Sequence, residues 1–596
     1  MTDLSIAVGG PEAVPPAPGD SVLGWFEHWV ARQPDAPAVV DGTVSWSYGE
    51  LDAAATLLAK KLTGRVLPGD RVGVCLDRSP QLVAAAVALA RLDAVYLPLG
   101  PTPGPSRLST LAEEGAVDCL LTGEADVAPE GWRTHPLEET GLDLARPVQE
   151  IAAPRASDAF YAVSTSGTTG APKVILVPEA ALANLVRWYC REHEMGPGTR
   201  VSLMVGPTFD PHLKELWAAL CSGSALHVAP EDARLSTGDL FQWWEQAGIT
   251  SCILPTPLAE LAFTRQWPSE LALRHISVGG DRMRTRPPAD CAATVHNMYG
   301  PAEATCVITS HRVERAPADA EAAVPIGVPM SRVTVFVTDP DGGVLPRGEA
   351  GELRVGGAGL ALGYVNAALT AERFVQAPAG HAGTVYRTGD KVRMTADGVL
   401  EFLGRLDNQV KISGARIEPA EVEAALERHS AVRQAVAVTL PVAGGELRLI
   451  GFAQLAEDAS AEPAQILRVA REHLIPQAVP TTLHLVKEFP LNANGKIDRT
   501  ALAEQAADQV QPSTVAETEE FLVATSRLLL GVTTLGPEDN FADSGGASLA
   551  AARLLAVIEA TYGIRMKATE VMRQPDLRSL AVLVAERRAA TAEARS

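Results

Sequence analysis

The sequence of 596 residues lacks the features that mark several large classes of protein. It has only 7 cysteines, scattered without any C-x-x-C spacing, so neither a disulfide scaffold nor a zinc module is expected and a reducing compartment is favoured. No basic segment precedes an apolar stretch at the N-terminus, so we expect no secretory signal. The most apolar run, residues 82–90, is followed by Arg91 and Asp93 and is too short to span a bilayer. These absences predict a soluble, cytoplasmic protein that does not bind a membrane.

Positive charge is also scarce in this sequence. The 51 lysines and arginines against 72 aspartates and glutamates give a formal net charge of −21. Such a surface repels phosphate backbones, so general nucleic-acid binding is not expected. Hydrophobic residues make up 46% and charged residues 21% of the chain, which is typical of a globular protein and excludes disorder as the main state. At about 150 residues per domain, the length predicts about four domain-sized units.

The pattern of apolar residues divides the chain into parts of different architecture. In the long first part, residues 71–76 read as a buried strand and residues 81–90 as the helix that follows it, which is the signature of an α/β fold. A smaller α+β part comes next, and the last part carries helical periodicity alone, which predicts an all-α helical bundle. The predicted boundaries are 1–20 for a flexible N-terminus, 21–406 for the α/β part, 407–503 for the α+β part, 504–515 for a polar linker, 516–590 for the bundle and 591–596 for a tail.

The most informative segment is residues 164–173, which read STSGTTGAPK after a strand-like run at 159–163. Its glycines allow a tight loop whose N–H groups face an anion, its hydroxyl groups add donors, and its lysine adds positive charge. The residues that would serve in this way are Thr165, Ser166, Gly167, Thr168, Thr169, Gly170 and Lys173. The Walker pattern G-x-x-x-x-G-K-[ST] is not satisfied. The segment therefore indicates a phosphate-binding loop of another kind, and the alternative is a flexible surface loop of small polar residues.

Further motifs occur in a fixed order along nearly the whole chain. Besides the loop, they read WSYGEL at 46–51, LPLGP at 97–101, NMYGPAE at 297–303, GELRVGG at 351–357, YRTGD at 386–390, GRLDNQVKI at 404–412 and NGKIDR at 494–499. The series resembles the adenylate-forming enzymes, the superfamily of acyl-CoA synthetases, luciferases and nonribosomal peptide synthetase adenylation domains. The resemblance implies that the α/β part is an adenylation core and the α+β part its small, mobile C-terminal subdomain.

The resemblance also implies roles in the chemistry of ATP. An acyl adenylate forms when a carboxylate attacks the α-phosphorus of ATP, and both reactants are anions whose repulsion must be screened. Glu303 would hold Mg²⁺, and Lys496 would contact the carboxylate and the bridging phosphate oxygen, so that Thr165, Lys173, Glu303 and Lys496 form the expected catalytic set. Outside the loop, the expected ATP-binding residues are Tyr299 and Gly300 near adenine, Asp390 at the ribose hydroxyls, and Arg405 beside it. The alternatives are solvated surface charges and a core aromatic residue.

Asp407 lies between the two predicted adenylation parts and matches the hinge of the family. In the family, the small subdomain rotates there after adenylation, which removes the lysine loop and presents another face for thioester formation. One pocket must serve two reactions whose reagents would collide, so a rotation is physically reasonable. A turn-forming aspartate is the alternative for Asp407.

The C-terminal part contains a second group-transfer motif, because residues 539–549 read DNFADSGGASL before an apolar helical pattern. The motif resembles the attachment site of a peptidyl carrier domain, in which Ser548 would carry 4′-phosphopantetheine; a simple helix N-cap is the alternative. An adenylation and carrier didomain resembles a loading unit of a nonribosomal peptide synthetase. The implied partners are an amino-acid substrate, a phosphopantetheinyl transferase, downstream tailoring or condensation enzymes and, as in some relatives, an MbtH-like helper. Neither H-H-x-x-x-D-G nor G-x-S-x-G occurs, so later steps are expected to fall to partners.

Asp210 resembles the family aspartate that binds the α-ammonium of an amino acid, although Asp210 followed by Pro211 also reads as the start of a helix. By motif register, the substrate pocket is further lined by Pro211, Lys214, Ile253, Ile276, Val278, Met298, Cys306 and Val307. This wall is apolar apart from Lys214. A cation there suggests a substrate side chain with a carboxylate or another acceptor. The alternatives are that Lys214 pairs with Asp210 or extends its ammonium group to solvent.

Several positions depart from the family pattern: Gly100, Val174, Glu179, Ala302 and Ala547. Ala302 loses a hydroxyl expected near the α-phosphate, and one lost hydrogen bond to a charged group costs about 1.5–3 kcal/mol. Two alternative functions therefore stay open. One is a weakly active adenylation fold that serves as a scaffold for its carrier, and the other is an acyl-CoA-synthetase-like ligase for a carboxylic acid without an amino group.

Overall fold

The structure of the chain is a computed structural model that describes most residues, with gaps. The described residues are 4–10, 21–101, 103, 105–113, 117–123, 128–148, 158–165, 173–235, 237–315, 324–406, 410–412, 415–441, 447–456, 459–490, 497–509, 515–530, 535–541, 554–555, 557–558, 561–562, 564, 566, 570–571 and 573–593. The chain forms two compact units, Met1–Ala425 with Arg468–Ala478 and Leu426–Leu467 with Val479–Ser596.

The helices alternate with strands through most of the first unit, as the sequence pattern predicts. Within the described residues of both units, the helices are Val22–Arg32, Tyr48–Leu62, Pro80–Arg91, Pro105–Glu113, Glu179–Glu192, Pro211–Ser222, Glu231–Leu235, Thr237–Ala247, Thr256–Phe263, Ala367–Arg373, Pro419–Glu427, Pro463–Arg471, Arg499–Gln509, Val515–Leu530 and Leu577–Glu593. Single 3-10 turns lie at Ala302–Ala304 and Pro476–Ala478.

The first sheet of the first unit has eight described strands. In spatial order they are Gly363–Tyr364, Lys173–Val177, Tyr161–Thr165, Val95–Pro98, Arg71–Cys75, Cys119–Thr122, Leu142–Pro147 and Trp132–Leu137. The central strand Arg71–Cys75 is parallel to both of its neighbours and fully buried, because helices cover the faces of a parallel sheet. The helix after it, Pro80–Arg91, starts where Ser79 accepts a hydrogen bond from the N–H of Leu82 and Pro80 fixes the first turn. This is the strand and helix pair that the sequence predicts.

The second sheet of this unit has nine described strands. In spatial order they are Val328–Pro329, Thr309–Val313, Thr294–Tyr299, His275–Gly279, Ser251–Pro255, Arg200–Leu203, Ala225–Val228, Pro37–Asp41 and Val44–Ser47. Its middle strands run parallel, so their carboxyl ends meet at one edge, which is where open α/β sheets usually bind ligands.

The third sheet is antiparallel and includes part of the predicted flexible N-terminus. Its strands are Ile6–Val8, Val333–Thr338, Ala350–Gly357, Thr384–Met394 and Phe374–Gln376 in order, with Leu400–Arg405 also paired to Thr384–Met394. We expected residues 1–20 to be flexible, but Ile6–Val8 pairs with Val333–Thr338. Residues 4–8 read LSIAV and are apolar enough to form a strand at the edge of a sheet. The glycines and prolines that suggested flexibility come after them, at residues 9–19.

Two small sheets follow the third. Val410–Ile412 pairs with Ala415–Ile417, and in the second unit Val432–Pro441, Leu447–Leu455 and Thr482–Val486 form a three-stranded sheet. The helix Arg499–Gln509 packs on the three-stranded sheet through Leu502 and Ala506. It therefore runs into residues 504–509, which we expected to be linker. Alanine and glutamine suit a helix as well as a linker, so composition alone did not separate the two.

The C-terminal part of the second unit has its own core among its described residues. Leu522, Leu554, Ile558 and Leu580 are buried together there. Helices Val515–Leu530 and Leu577–Glu593 agree with the helical periodicity that predicts a bundle in this part of the chain.

Candidate active site

The expected phosphate loop joins two antiparallel strands of the first sheet. Tyr161–Thr165 leads into the loop and Lys173–Val177 leaves it, and Thr165 is the register partner of Lys173. The loop therefore closes a hairpin whose two ends are fixed by the sheet. The side chain of Thr165 and residues 166–172 lie outside the described residues, so the predictions for Ser166, Gly167, Thr168, Thr169 and Gly170 stay predictions.

Both ends of this loop carry a cation. Lys173 Nζ donates a hydrogen bond to Oε1 of Glu418 at 3.2 Å, and their side chains are only 7% and 5% exposed. At the other end, the guanidinium of Arg107 donates to Oγ of Ser164 at 3.0 Å. Burial lowers the pKa of Arg107, and the charge of Glu421 acts in the opposite direction. Two cationic side chains, each acted on by a nearby carboxylate, are thus held at the base of the hairpin.

Glu303, the expected Mg²⁺ ligand, is brought to the same hairpin by the sheet. It lies in the turn Ala302–Ala304, and its side chain is fully buried. The hydroxyl of Tyr364 donates to Oε1 of Glu303 at 2.6 Å. Tyr364 is the register partner of Ile175, two residues after Lys173. One short edge strand therefore connects the phosphate hairpin to the carboxylate.

Three of the predicted ATP-binding residues form one hydrogen-bonded group. Asp390 and Arg405 are register partners on adjacent strands, and the guanidinium of Arg405 donates to Oδ1 of Asp390 at 2.8 Å. Arg405 also donates to the carbonyl of Thr388 at 3.0 Å. The hydroxyl of Tyr299 donates to Oδ2 of Asp390. The carboxylate is thereby fixed in position by two donors, with a tyrosine ring beside it.

Gly300 follows Tyr299 at a place where the backbone passes very close to another segment. A Cβ atom at Gly300 would lie 2.5 Å from the carbonyl oxygen of Cys306 and 2.7 Å from Cα of Val307. Only glycine fits without moving the backbone. The close approach joins the predicted adenine side of the site to the predicted substrate wall.

The predicted substrate aspartate begins a helix, as its proline neighbour suggested. Asp210 is the N-cap of Pro211–Ser222 with Pro211 in the first turn, but the Asp210 side chain makes no capping hydrogen bond. Asp210 is near the ring of Tyr161, whose pKa is raised well above its usual value mainly by burial and further by the charge of Asp210. The helix start therefore does not use the carboxylate of Asp210 as its cap.

Lys214 lies one turn along the same helix and is 2% exposed. Its ammonium group is 4.4 Å from the centre of the Tyr189 ring and 3.3 Å from Sδ of Met298. Within the described residues it forms no ion pair, so it neither pairs with Asp210 nor reaches solvent. Burial lowers the pKa of Lys214, while the charges of Cys306, Glu215 and Asp210 act to raise it. A buried cation is left to face an aromatic ring and a thioether.

The other predicted pocket residues are supplied by three neighbouring strands and one loop. Ile253, Ile276, Val278 and Met298 lie on consecutive strands of the second sheet and are buried. Cys306 and Val307 follow the turn that carries Glu303 and are buried as well. The residues that motif register assigned to one wall are therefore grouped by the fold, although their contact with a substrate stays a prediction.

Backbone strain marks the loop that carries Cys306. Thr305 and Cys306 are consecutive non-glycine residues in the left-handed region, with φ of 59° and 67°. The hydroxyl of Thr305 donates to the carbonyl of Gly359 at 2.7 Å and helps to hold this conformation. Strained residues of this kind are concentrated at ligand sites because the surrounding structure must enforce them.

Sequence reasoning missed several residues that shape the site. Tyr364, Glu418, Tyr189 and His193 carried no motif signal that would have separated them from structural residues. The ring of His193 stacks on that of Tyr189, with ring centres 4.0 Å apart, and contacts Oγ of Ser251 and of Ser277, each at 3.1 Å. Burial lowers its pKa well below the usual value, which keeps the ring neutral.

The departures from the family pattern have local structural roles. Gly100 has φ of 77°, which favours glycine over the usual aspartate. Glu179 accepts a hydrogen bond at 2.9 Å from the N–H of Val22, at the start of the helix Val22–Arg32. Val174 is buried in the hairpin strand. Ala302 packs against the core. Ala547 lies outside the described residues.

Three functional predictions fall on residues that the structure does not describe. They are the hinge Asp407, the lysine Lys496 and the attachment serine Ser548. Their positions and contacts therefore stay predictions.

Comparison with known families identifies the three parts of the chain. Residues 26–365, more than half of the chain, match the family described as AMP-binding enzyme. The chain belongs to the AMP-binding enzyme family. Residues 421–496 match the C-terminal domain of AMP-binding enzymes, and residues 520–584 match the phosphopantetheine attachment site family. The predicted resemblance to adenylate-forming enzymes followed by a carrier domain is confirmed.

Individual relatives of this AMP-binding enzyme are much longer proteins. The chain is 35% identical to a linear gramicidin synthase polypeptide of Brevibacillus parabrevis over 588 residues, covering 95% of this chain and 11% of the relative. It is 32% identical to malpinin synthetase of Mortierella alpina over 597 residues, covering 95% of this chain and 8% of the relative. The chain thus spans about a tenth of the length of these relatives.

A solved structure matches both the adenylation part and the carrier. This holo NRPS protein containing adenylation and PCP domains, bound to a vinylsulfonamide inhibitor, is 25% identical, with a TM-score of 0.71 and coverage of 95% of this chain and 98% of that one. The predicted fold class is confirmed: a large α/β core, a small C-terminal subdomain and a carrier.

Neither a membrane-spanning helix nor a cluster of metal-binding side chains is found among the described residues. None of their helices is both long and apolar enough to cross a bilayer. They also contain no cluster of three or more His, Cys, Asp or Glu side chains arranged to hold a metal ion.

Proposed function

We propose that the chain activates an amino acid with ATP as an aminoacyl adenylate and then transfers it to 4′-phosphopantetheine on Ser548, in the biosynthesis of a peptide or related natural product. The observation that carries the proposal is that an AMP-binding enzyme core and a phosphopantetheine attachment domain occur in one chain. An acyl-CoA synthetase or a luciferase would need no thiol carrier of its own. A scaffold would not need Lys173, Glu303 and Asp390, which are all retained.

The phosphate hairpin and Glu303 would lower the charge repulsion of the first step. The carboxylate of the amino acid attacks the α-phosphorus, the bond to the bridging oxygen breaks, and pyrophosphate leaves. Lys173 places a positive charge at the end of the loop, and Lys496 would add a second one at the reacting atoms. Glu303 suits Mg²⁺, because this ion takes one or two carboxylates and completes its shell with water and phosphate oxygens. When bound, Mg²⁺ supplies charge neutralisation at those oxygens.

The group formed by Tyr299, Asp390 and Arg405 would bind the adenosine part. Asp390 has both of its carboxylate oxygens engaged by donors, so its acceptor directions are fixed before the nucleotide arrives. A fixed carboxylate that accepts from two ribose hydroxyls positions the α-phosphorus without a further loss of freedom. Tyr299 offers its ring to adenine from the same place.

The geometry around Lys214 supports an amino acid with an acidic or other acceptor-bearing side chain. Asp210 would bind the α-ammonium, and the ammonium of Lys214 would bind the far end of the substrate. Charge pairing in a site shielded from water is much stronger than at a surface. The ammonium group of Lys214 forms no ion pair among the described residues, so it has the capacity to bind such a partner.

The carrier domain requires a phosphopantetheinyl transferase, which attaches the cofactor. Downstream tailoring or condensation enzymes would consume the thioester, and an MbtH-like helper would support the adenylation part. These two partners follow from the family resemblance alone.

Intact mass spectrometry tests the proposal directly. The phosphopantetheinylated chain is incubated with ATP, Mg²⁺ and a mixture of amino acids, with and without an MbtH-like helper. We expect a mass increase equal to one aminoacyl group, which also identifies the substrate. The Ser548→Ala chain should show neither phosphopantetheine nor the aminoacyl group, and an adduct on that chain would refute the carrier assignment.

Pyrophosphate exchange separates the competing functions. The scaffold hypothesis predicts no exchange with any amino acid even when the helper is present. A ligase for an acid without an amino group predicts that Asp210→Ala retains activity, whereas the proposed function predicts its loss.

A further inference from the structure

The lysine of the phosphate loop is already paired with a carboxylate of its own chain. Lys173 Nζ lies 3.2 Å from Oε1 of Glu418, and both side chains are almost fully buried within the same compact unit. An ion pair so well shielded from water is costly to break, because removal of one partner leaves an uncompensated charge. An anion that takes the Nζ donor now directed at Glu418 would displace that carboxylate.

The position of Glu418 is defined by local structure. Its carbonyl accepts the N–H groups of Glu421 at 3.0 Å and Val422 at 3.4 Å, at the start of the helix Pro419–Glu427. Glu421 is one turn further on, and its charge acts on Arg107 at the other end of the phosphate loop. Two carboxylates from the start of one helix thus serve the two cations that border the loop.

We infer that Glu418 is a positioning residue that competes with the phosphate groups of ATP and pyrophosphate for Lys173. A carboxylate and a phosphate oxygen are both strong acceptors for an ammonium group. Because Lys173 lies at the end of a loop that would contact phosphate, the two anions would compete for the same cation. This inference rests on the proposed function, in which Lys173 contacts phosphate.

The competition would favour the forward reaction. Adenylation releases pyrophosphate, and the reverse reaction needs pyrophosphate to return to Lys173. When Glu418 takes the lysine, the pair stabilises the state from which pyrophosphate has left. A residue outside the reacting atoms would thus make pyrophosphate release easier and its return harder.

The test measures the affinity of the full chain for inorganic pyrophosphate with Mg²⁺ by isothermal titration calorimetry. We expect Glu418→Gln to bind pyrophosphate about tenfold more tightly, which is the effect of removing one competing charge-assisted hydrogen bond. In pyrophosphate exchange, the same variant should lower the KM for pyrophosphate by a similar factor. Glu418→Asp keeps the charge, but its side chain is one methylene shorter. Its affinity for pyrophosphate should therefore lie between those of the wild type and Glu418→Gln.

The matched control is Glu139→Gln. Glu139 also pairs with a lysine, Lys61, at 3.2 Å, but its side chain is 71% exposed. Glu139→Gln makes the same change of charge as Glu418→Gln but does not break a buried ion pair. The pyrophosphate affinity of Glu139→Gln should therefore equal that of the wild type. Tryptophan fluorescence checks that each variant is folded.

A double-mutant cycle with Lys173→Met distinguishes the possible failures. If Lys173→Met weakens binding and Glu418→Gln has no effect in that background, the competition is supported. If Lys173→Met weakens binding but Glu418→Gln alone does not strengthen it, the inference is wrong and the proposed function stands. If Lys173→Met has no effect, the phosphate role of Lys173 fails and the inference fails with it.

Discussion

At the scale of single residues, Lys214 is the charged residue in the otherwise apolar wall of the predicted substrate pocket. Removal of a full positive charge from water is expensive, and a protein usually compensates for it with an ion pair or by loss of the proton. The ring of Tyr189 and the sulfur of Met298 provide weaker compensation than a carboxylate would. The side chain therefore costs stability unless the substrate supplies the missing partner.

Lys214→Met tests this role, because methionine has similar length and no charge. We expect kcat/KM for amino acids with an acceptor-bearing side chain to fall about 10- to 100-fold relative to apolar amino acids, the effect of one hydrogen bond to a charged group. The measurement is pyrophosphate exchange with aspartate, glutamate, glutamine, leucine and methionine. Thermal unfolding should show no loss of stability, since a buried cation has been replaced by an apolar group.

A control for the Lys214 experiment is Lys61→Met on the surface. If the substrate preference of Lys214→Met equals that of the wild type and of this control, the hypothesis of an acceptor-bearing substrate is wrong.

At the scale of elements, the site depends on two segments whose backbones nearly touch. The segment after Tyr299 passes so close to Cys306 and Val307 that glycine is needed at position 300. The second segment contains the strained pair Thr305 and Cys306. The predicted nucleotide side and the predicted substrate side of the site thus share one backbone junction.

Gly300→Ala should disturb both sides of this junction together. The added methyl group would meet backbone atoms, which cannot rotate away, so we expect a loss of about 1–3 kcal/mol in the free energy of unfolding. The KM values for ATP and for the amino acid should rise together. Gly196→Ala is the matched control, because a Cβ there has nothing within 4 Å. Unchanged KM values for Gly300→Ala would show that this junction does not determine the binding of ATP or of the amino acid.

Sequence reasoning succeeded for elements and failed for the contacts between them. The strand that leads into the phosphate loop and the helix after Asp210 were predicted, because an apolar run and a proline at the first turn are local signals. The antiparallel pairing of that strand and the pairing of Asp390 with Arg405 were not predicted. The bonds of Tyr364 to Glu303 and of Glu418 to Lys173 join residues that are 61 and 245 positions apart. No local pattern encodes which of many tyrosines or glutamates will meet a given partner.

Where the predictions of local order were wrong, composition was the cause. Proline and glycine dominate residues 9–19, and this hid the short strand Ile6–Val8. The expected linker at 504–515 overlaps a helix for a similar reason, since polar residues were read without regard to the apolar face formed by Leu502 and Ala506.

At the scale of the whole molecule, buried histidines link the stability of the first unit to pH. Burial lowers the pKa of His212 and His227 to about 4. The pKa of His296 is likewise lowered to about 4, and that of His193 falls well below its usual value. In the unfolded chain these groups take up protons near pH 6.5. Glu215 acts in the opposite sense, because burial raises its pKa to about 7. Burial also lowers the pKa of His275 and His311 and raises that of Asp41 and Glu179, so six histidines of the first unit stand against three carboxylates.

We therefore expect the first unit to lose stability as the pH falls from about 6.5 to about 4, where the unfolded chain binds more protons than the folded one. Each proton that is not matched contributes about 1.4 kcal/mol per pH unit. Urea unfolding followed by tryptophan fluorescence measures this, because all 9 tryptophans lie between Trp25 and Trp267 and so report on the first unit alone. His227→Gln should reduce the slope of stability against pH by about one proton, while His135→Gln, at an exposed position, should leave it unchanged. Equal slopes for His227→Gln and the wild type would mean that the acid sensitivity comes from other groups, and the carboxylates of the first unit would then be the next to test.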